Sequence, residues 1–222
     1  MLVNADFASP AIVSPDRYRW AASPQRGVER VLLDRVGAEQ ARATSIVRYA
    51  PGSHFPRHVH PGGEEILVLS GVFSDDGNDY PAGWYLRNPP GSSHQPYSAT
   101  GAMIFVKLRQ MASDEQDHLR VDTRDGARWS RHGGRAVCPL FQRGREAVSL
   151  QRLAPGLPLS AESSGGFEVL VLAGTLAGRG RPHDQGSWLR LPPGDPAAFF
   201  AGDSGATVYL KTGHLAGLDG TE

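Results

Sequence analysis

Gly52-Ser53-His54-Phe55-Pro56-Arg57-His58-Val59-His60-Pro61-Gly62-Gly63-Glu64-Glu65-Ile66-Leu67-Val68-Leu69 sets two histidines two positions apart, then a turn, then an apolar run opened by a carboxylate. Residues i and i+2 of a strand project to the same face, so His58 and His60 can reach one point in space. Pro61-Gly62-Gly63 can reverse the chain and bring Glu64 beside them. Further on, Gly83-Trp84-Tyr85-Leu86-Arg87-Asn88-Pro89-Pro90-Gly91-Ser92-Ser93-His94 adds a third imidazole after a second turn. Three imidazoles and a carboxylate suit zinc, Fe(II), manganese, nickel or copper. A lone His-x-His is commonly polar surface. Four ligand-type residues at turn-flanking positions point to a metal site.

The chain supplies its own control, because it repeats itself. Arg48-Tyr49-Ala50-Pro51-Gly52 matches Arg152-Leu153-Ala154-Pro155-Gly156, an offset of 152 − 48 = 104. Gly62 to Gly71 matches Gly165 to Gly174 at an offset of 103, and Gly83 to Gly91 matches Gly186 to Gly194. Glycines, prolines and apolar runs survive in the second copy. The four ligand types do not: His58 becomes Ala161, His60 Ser163, Glu64 Phe167 and His94 Ala197. Joint loss is expected of residues that act as one site, since a partial site leaves charge buried and unpaired. Glu65 persists as Glu168, which assigns it a structural role and makes Glu64 the ligand. By the same test Arg48 and Lys107, kept as Arg152 and Lys211, are structural.

Short runs rich in β-branched residues, such as Ala43–Tyr49, Glu65–Leu69, Trp84–Leu86 and Met103–Leu108, alternate with turn signals. The expected class is all-β, a sandwich or barrel occurring twice. The expected domains are 1–112, with an N-terminal arm packed on the first barrel, and 113–222. Met111 to Arg128 is the expected linker.

Composition narrows the function. Lys+Arg and Asp+Glu each number 23, so bulk charge offers no basis for binding nucleic acid or a membrane surface. Cys138 is the one cysteine, which excludes an internal disulfide and a cysteine-based zinc site. The start carries no basic-then-apolar leader, and no apolar run approaches spanning length. A soluble cytoplasmic protein, monomeric or homodimeric, is the expectation.

These residues resemble the cupin family. Gly52, His58, His60, Glu64 and Gly71 fit its first motif, and Gly83, Pro89, Gly91 and His94 its second, with Ser98 where Asn usually stands. Gly62 to Leu69, Asp79 to Gly83 and Arg87 to His94 are similar to the ChrR-type cupin domain, mainly over residues 43–110. The resemblance implies two tandem cupin (double-stranded β-helix, or jelly-roll) barrels. The first would bind metal through His58, His60, Glu64 and His94, and the second would be degenerate. It also implies one divalent metal, zinc first, with Fe(II), manganese or nickel as alternatives. The function it implies is a sensor or regulator of oxidative stress related to zinc-binding anti-sigma factors. The alternative is an Fe(II) dioxygenase cleaving a diketone-like or hydroxyketone substrate, with a small molecule as its partner. The separate sigma-gripping domain of such anti-sigma factors has no counterpart in this sequence. A fused second barrel is expected to stand in for the partner of a single-domain dimer.

Among the other candidates, His54 is expected at a strand end, and His118, His132, His183 and His214 at the surface. Trp84, Tyr85, Phe105 and Tyr97 are candidates for the barrel lining or the core. Gln95 is a candidate to bond a ligand's ring N–H, and Cys138 is expected to be buried and inert.

Overall fold

The computed structural model describes residues 1–38, 40–161 and 164–218. Ser163, the counterpart of His60, lies outside them. The chain forms two compact units, Met1–Ala5 with Arg19–Arg124, and Asp6–Tyr18 with Asp125–Glu222. The boundary thus falls after Arg124 instead of at 112, and the arm is shared. Residues 6–18 belong to the second unit, where Ala11–Val13 pairs with the strand Trp188–Leu191. Arg190 lies 4.0 Å over the Phe7 ring, and its guanidinium donates to the Asp6 carbonyl at 2.8 Å. The expected linker also contains a strand, Leu119–Asp122, that edges the first sheet.

The main sheet of the first unit runs in the order Leu119–Asp122, Trp84–Asn88, Glu64–Asp75, Ala102–Leu108, Arg42–Tyr49, Val28–Val36, Ala21–Ala22. The second unit repeats the order with Ala11–Val13, Trp188–Leu191, Phe167–Gly178, Phe199–Thr212, Glu146–Leu153, Arg135–Arg143, Ser130–His132. All paired strands are antiparallel. Gly71 and Gly174 show why the glycines recur. Both have φ of +69°, and a Cβ there would meet the Gly101 carbonyl oxygen at 2.0 Å and that of Gly205 at 2.1 Å. Only a residue without a side chain allows the sheet to fold over at that point.

The register gives each sheet two distinct faces. In the first unit one face carries Val28, Tyr49, Val47, Ile104, Val106 and Ile66 around the barrel interior. The opposite face carries a row of polar residues directly across from one another: Asp34, Thr44, Lys107, Glu65 and Arg87. All five are buried, two of them acidic and two basic. Arg87 donates to Glu65 at 2.9 Å and to Glu115 at 2.8 and 2.9 Å, and Lys107 donates to Thr44 at 2.9 Å. The second unit places Lys211, Glu168 and Arg190 in the same register. Retention of Glu65 and Lys107 in both copies therefore reflects a buried charge network, in which loss of one member would strand another. Arg48 pairs with Glu29 at 2.6 Å and stacks 4.3 Å over Trp20, as Arg152 stacks 4.0 Å over Trp129.

Two histidines expected at the surface are not there. His183 is 2% exposed beside Phe199, and the His214 side chain is buried against Glu168 at 3.2 Å. Tyr85 and Phe105 are core residues on the face opposite the barrel interior, and Cys138 is fully buried. Among the described residues no helix is long and apolar enough to cross a membrane.

Candidate metal centre

His58–His60 forms a two-stranded ribbon with Ser92–His94, and in its register His58 lies directly across from His94. The turn at Pro61-Gly62-Gly63 is closed by the Gly63 amide donating to the His60 carbonyl at 3.1 Å, which aims Glu64 back at the ribbon. One nitrogen from each of His58, His60 and His94 lies within 4.8 Å of the others, and this is the one such group of potential metal ligands found among the described residues. Nε2 of His60 is 2.9 Å from Nε2 of His94, and Glu64 Oε2 is 3.4 Å from both. The fold thus brings together all four residues singled out from the sequence. His60, His94 and Glu64 are buried and His58 is half-buried.

Three of these side chains, His58, His94 and Glu64, are held from behind. His94 Nδ1 pairs with Asp75 Oδ2 at 3.0 Å, and His58 Nδ1 with the Pro56 carbonyl at 2.9 Å. These bonds place the N–H on Nδ1 and leave Nε2 of each ring for the cluster. The Asn88 amide donates to Glu64 Oε2 at 3.0 Å, and Arg120 Nη2 donates to Asn88 Oδ1 at 2.7 Å. Asp75, Asn88 and Arg120 were not identified from the sequence. Asp75 offered no signal, whereas Asn88 could have been found as the residue directly across from Glu64. Gln95 is exposed and does not take the ring-bonding role expected of it, because Asp75 occupies that position. His54 is exposed at the end of a two-residue strand, and Ser98 is buried and donates to the Val72 carbonyl at 2.6 Å.

The electrostatics follow the burial. The His60 pKa is pushed down, by burial first; Glu64 opposes this, and the two neighbouring imidazoles add to it. For His94 burial is the largest single influence and also acts downward. The Asp75 hydrogen bond and the charges of Glu64, Asp75 and Asp76 together outweigh it, so the pKa rises. Three imidazoles and a carboxylate crowded this closely, with their outer atoms already engaged, form a donor set that a divalent cation satisfies.

A cavity of about 470 Å³ opens onto His58, His60 and Glu64. Its walls come from the barrel interior, with Val47, Ile104 and Val106 among them, and Tyr49 is also part of the lining. Burial, and secondarily the Glu64 carboxylate, pushes the Tyr49 phenol up, so it stays neutral and able to donate. In the second unit the equivalents of His58, Glu64 and His94 are hydrocarbon side chains. Phe167 is part of that unit's core, Ala161 and Ala197 pack against it, and Phe167 meets Phe199 edge-on at 6.3 Å.

The family described as the ChrR Cupin-like domain matches residues 8–112. No curated protein matches the chain by sequence. Among solved structures, the chain is similar to the pirin YhhW of Escherichia coli in complex with nickel(II). The identity is 14% and the TM-score 0.67, over 92% of this chain and 98% of that one. It is also similar to a putative dioxygenase of Nostoc punctiforme, at 14% identity and a TM-score of 0.70, over 95% and 81%. Bacillus subtilis oxalate decarboxylase, studied for its Mn(II) centres, is 11% identical with a TM-score of 0.64, over 91% and 76%. Identities this low establish the shared fold alone. Residues 8–112 match the ChrR Cupin-like domain, and the chain as a whole shares the fold of cupin proteins.

Proposed function

We propose that the first unit holds one divalent transition metal on His58, His60, Glu64 and His94, and that the protein is a metal-dependent oxygenase of a small organic substrate. The observation that carries this reading is the cavity of about 470 Å³ ending on the ligand set. A purely structural metal has no use for an approach of that size, since structural sites are closed. Bound there, a metal such as Fe(II) supplies Lewis-acid and redox chemistry to a chelating diketone-like or hydroxyketone group.

The chain's own residues prepare the rest. Asp75 and the Pro56 carbonyl fix the tautomers of His94 and His58, and Asn88 and Arg120 fix the carboxylate. The apolar walls exclude water from the bound substrate. Tyr49, buried and neutral, lines the cavity and would donate a hydrogen bond to an oxygen of the bound substrate. The nickel, manganese and dioxygenase descriptions of the structural relatives agree with a redox-capable first-row metal.

A second reading rests on the match of residues 8–112 to the ChrR family: a zinc-binding regulator of an oxidative-stress response, acting through a sigma factor. Metal analysis of protein purified without added metal, coupled to oxygen uptake on pentane-2,4-dione and related hydroxyketones, separates the two. Iron with substrate-dependent oxygen consumption is the expected result. Stoichiometric zinc, no turnover and retention of a sigma factor would overturn the oxygenase reading in favour of the regulator.

A further inference from the structure

The cavity wall carries cationic groups that metal binding leaves unexplained. Inward-facing rows can be read across the sheet of the first unit, because residues directly opposite in antiparallel strands project to the same face. One row is Arg30, Val47, Ile104 and Val68. Another is Arg35, Ala43, Leu108 and Glu64. Arg30, Arg35, Val47, Ala43, Ile104, Leu108 and Glu64 all line the cavity. A β-bulge between Leu32 and Asp34 shifts the register and turns Arg35 onto the same face as Arg30. Without it Arg35 would fall in the odd-numbered set with Val31 and Leu33, on the other side.

The arginines therefore stand on the far strand from Glu64. Three strand spacings separate them, roughly 14 Å between backbones. Arg30 is half-buried, and its side chain makes no ion pair or hydrogen bond among the described residues. Arg35 donates to the Ala38 carbonyl. Partial burial first, and the Arg30 charge second, push the Arg35 pKa down, so the two guanidinium groups repel each other. Arg109, on the same wall, is held by Gln40 at 3.2 Å. Among the described residues of the lining, Glu64 is the one carboxylate, and it is committed to the histidines. Guanidinium groups so placed form a receptor for an anion.

We infer that the cavity binds an organic acid end-on. Oxygen donors at one end reach the histidine cluster, an apolar body lies on Val47, Ile104 and Val106, and a carboxylate at the other end is held by Arg30 and Arg35. This rests on the proposed metal site for its inner end and names the substrate class for that site. The arginine end stands independently, on the register and the bulge. A neutral diketone of the same chain length lacks the group that Arg30 selects.

The test uses the full chain loaded with nickel, after its metal content has been measured. Calorimetry compares 4,6-dioxoheptanoic acid, which carries a β-diketone and a distal carboxylate, with neutral heptane-2,4-dione. The acid is expected to bind at least about tenfold more tightly, the scale of one charge-assisted contact. Arg30→Gln is expected to remove that preference while leaving both metal stoichiometry and the affinity for heptane-2,4-dione unchanged. Arg35→Gln, whose side chain also braces Ala38, is expected to weaken the preference with a small loss of stability. Equal affinities for acid and neutral diketone, failure of the acid to bind, or a preference intact in Arg30→Gln overturns the inference. Absence of bound nickel overturns the metal site instead. The same comparison on that metal-free protein then still reads the arginine end, through the Arg30 dependence of acid binding.

Discussion

Asp75 Oδ2 lies 3.0 Å from Nδ1 of His94, across 19 positions of sequence, and both residues are buried. Asp75 is the last residue of the strand Glu64–Asp75, whose first residue is Glu64. One strand thus supplies a candidate ligand at one end and the orienting partner of another ligand at the other. Asp75→Asn is expected to weaken metal binding about 10- to 100-fold, the usual loss on removing such a partner, with little change in fold. A chelator-competition titration measures this, and an unchanged affinity would refute the orienting role.

His58→Ala and His94→Ala are each expected to abolish stoichiometric metal binding, whereas Glu168→Ala is not, because Glu168 belongs to the buried pairs of the second unit with Trp188 and His214. Elemental analysis of the three variants decides this. Full occupancy in either histidine variant contradicts the ligand set.

Phe167→Glu puts into the second unit the carboxylate that Glu64 supplies in the first, but without the imidazoles or an Asn88 equivalent. Phe167 is 3% exposed amid hydrocarbon. The expected cost is about 3–5 kcal/mol, the range for a buried and uncompensated charge. Denaturant unfolding measures it, and a loss below about 1 kcal/mol would show that the site has room for water.

Gly71→Ala and Gly174→Ala should cost similar amounts in their two units, since both glycines sit at φ +69° with a carbonyl oxygen about 2 Å from the new methyl. A loss beyond the usual 1–3 kcal/mol of backbone strain is expected for each. Gly174→Ala should leave metal stoichiometry intact. Thermal melts together with metal analysis test both statements.

His183 is buried and its pKa is pushed below the ordinary 6.5, by burial above all, although its bond to the Gly178 carbonyl acts upward. The unfolded chain therefore takes up this proton at a higher pH than the folded one. That removes stability as pH falls below about 6.5, by at most about 1.4 kcal/mol per pH unit for one group. His183→Gln is expected to flatten the decline in melting temperature between pH 7 and pH 5. An unchanged slope would mean that other groups dominate acid unfolding.

Much of the site was legible before the fold was known, for a local reason. A two-residue period puts His58 and His60 on one face, a Pro-Gly-Gly turn returns the chain to Glu64, and the second copy marks which residues act together by losing them together. The supporting residues were not legible, because nothing local relates Asp75 to His94 or Arg120 to Asn88 and Glu64. Sequence context also misplaced His183 and His214. Polar, glycine-rich surroundings suggested the surface, but burial is set by what packs over a residue, here Phe199 and the Glu168 network.

By itself the sequence determined the all-β class, the internal duplication and the four residues of the candidate metal centre. All three are written in short-range periodicity, turn chemistry and an offset comparison within one chain. The tertiary structure alone decided that residues 6–18 fold with the second unit, that Asp75 orients His94, and that Arg30 and Arg35 face the cavity that ends on Glu64. The physical reason is register. Alternation tells which residues of one strand share a face, but which strands lie side by side, and where a bulge shifts them by one residue, is set by the packing of the whole sheet.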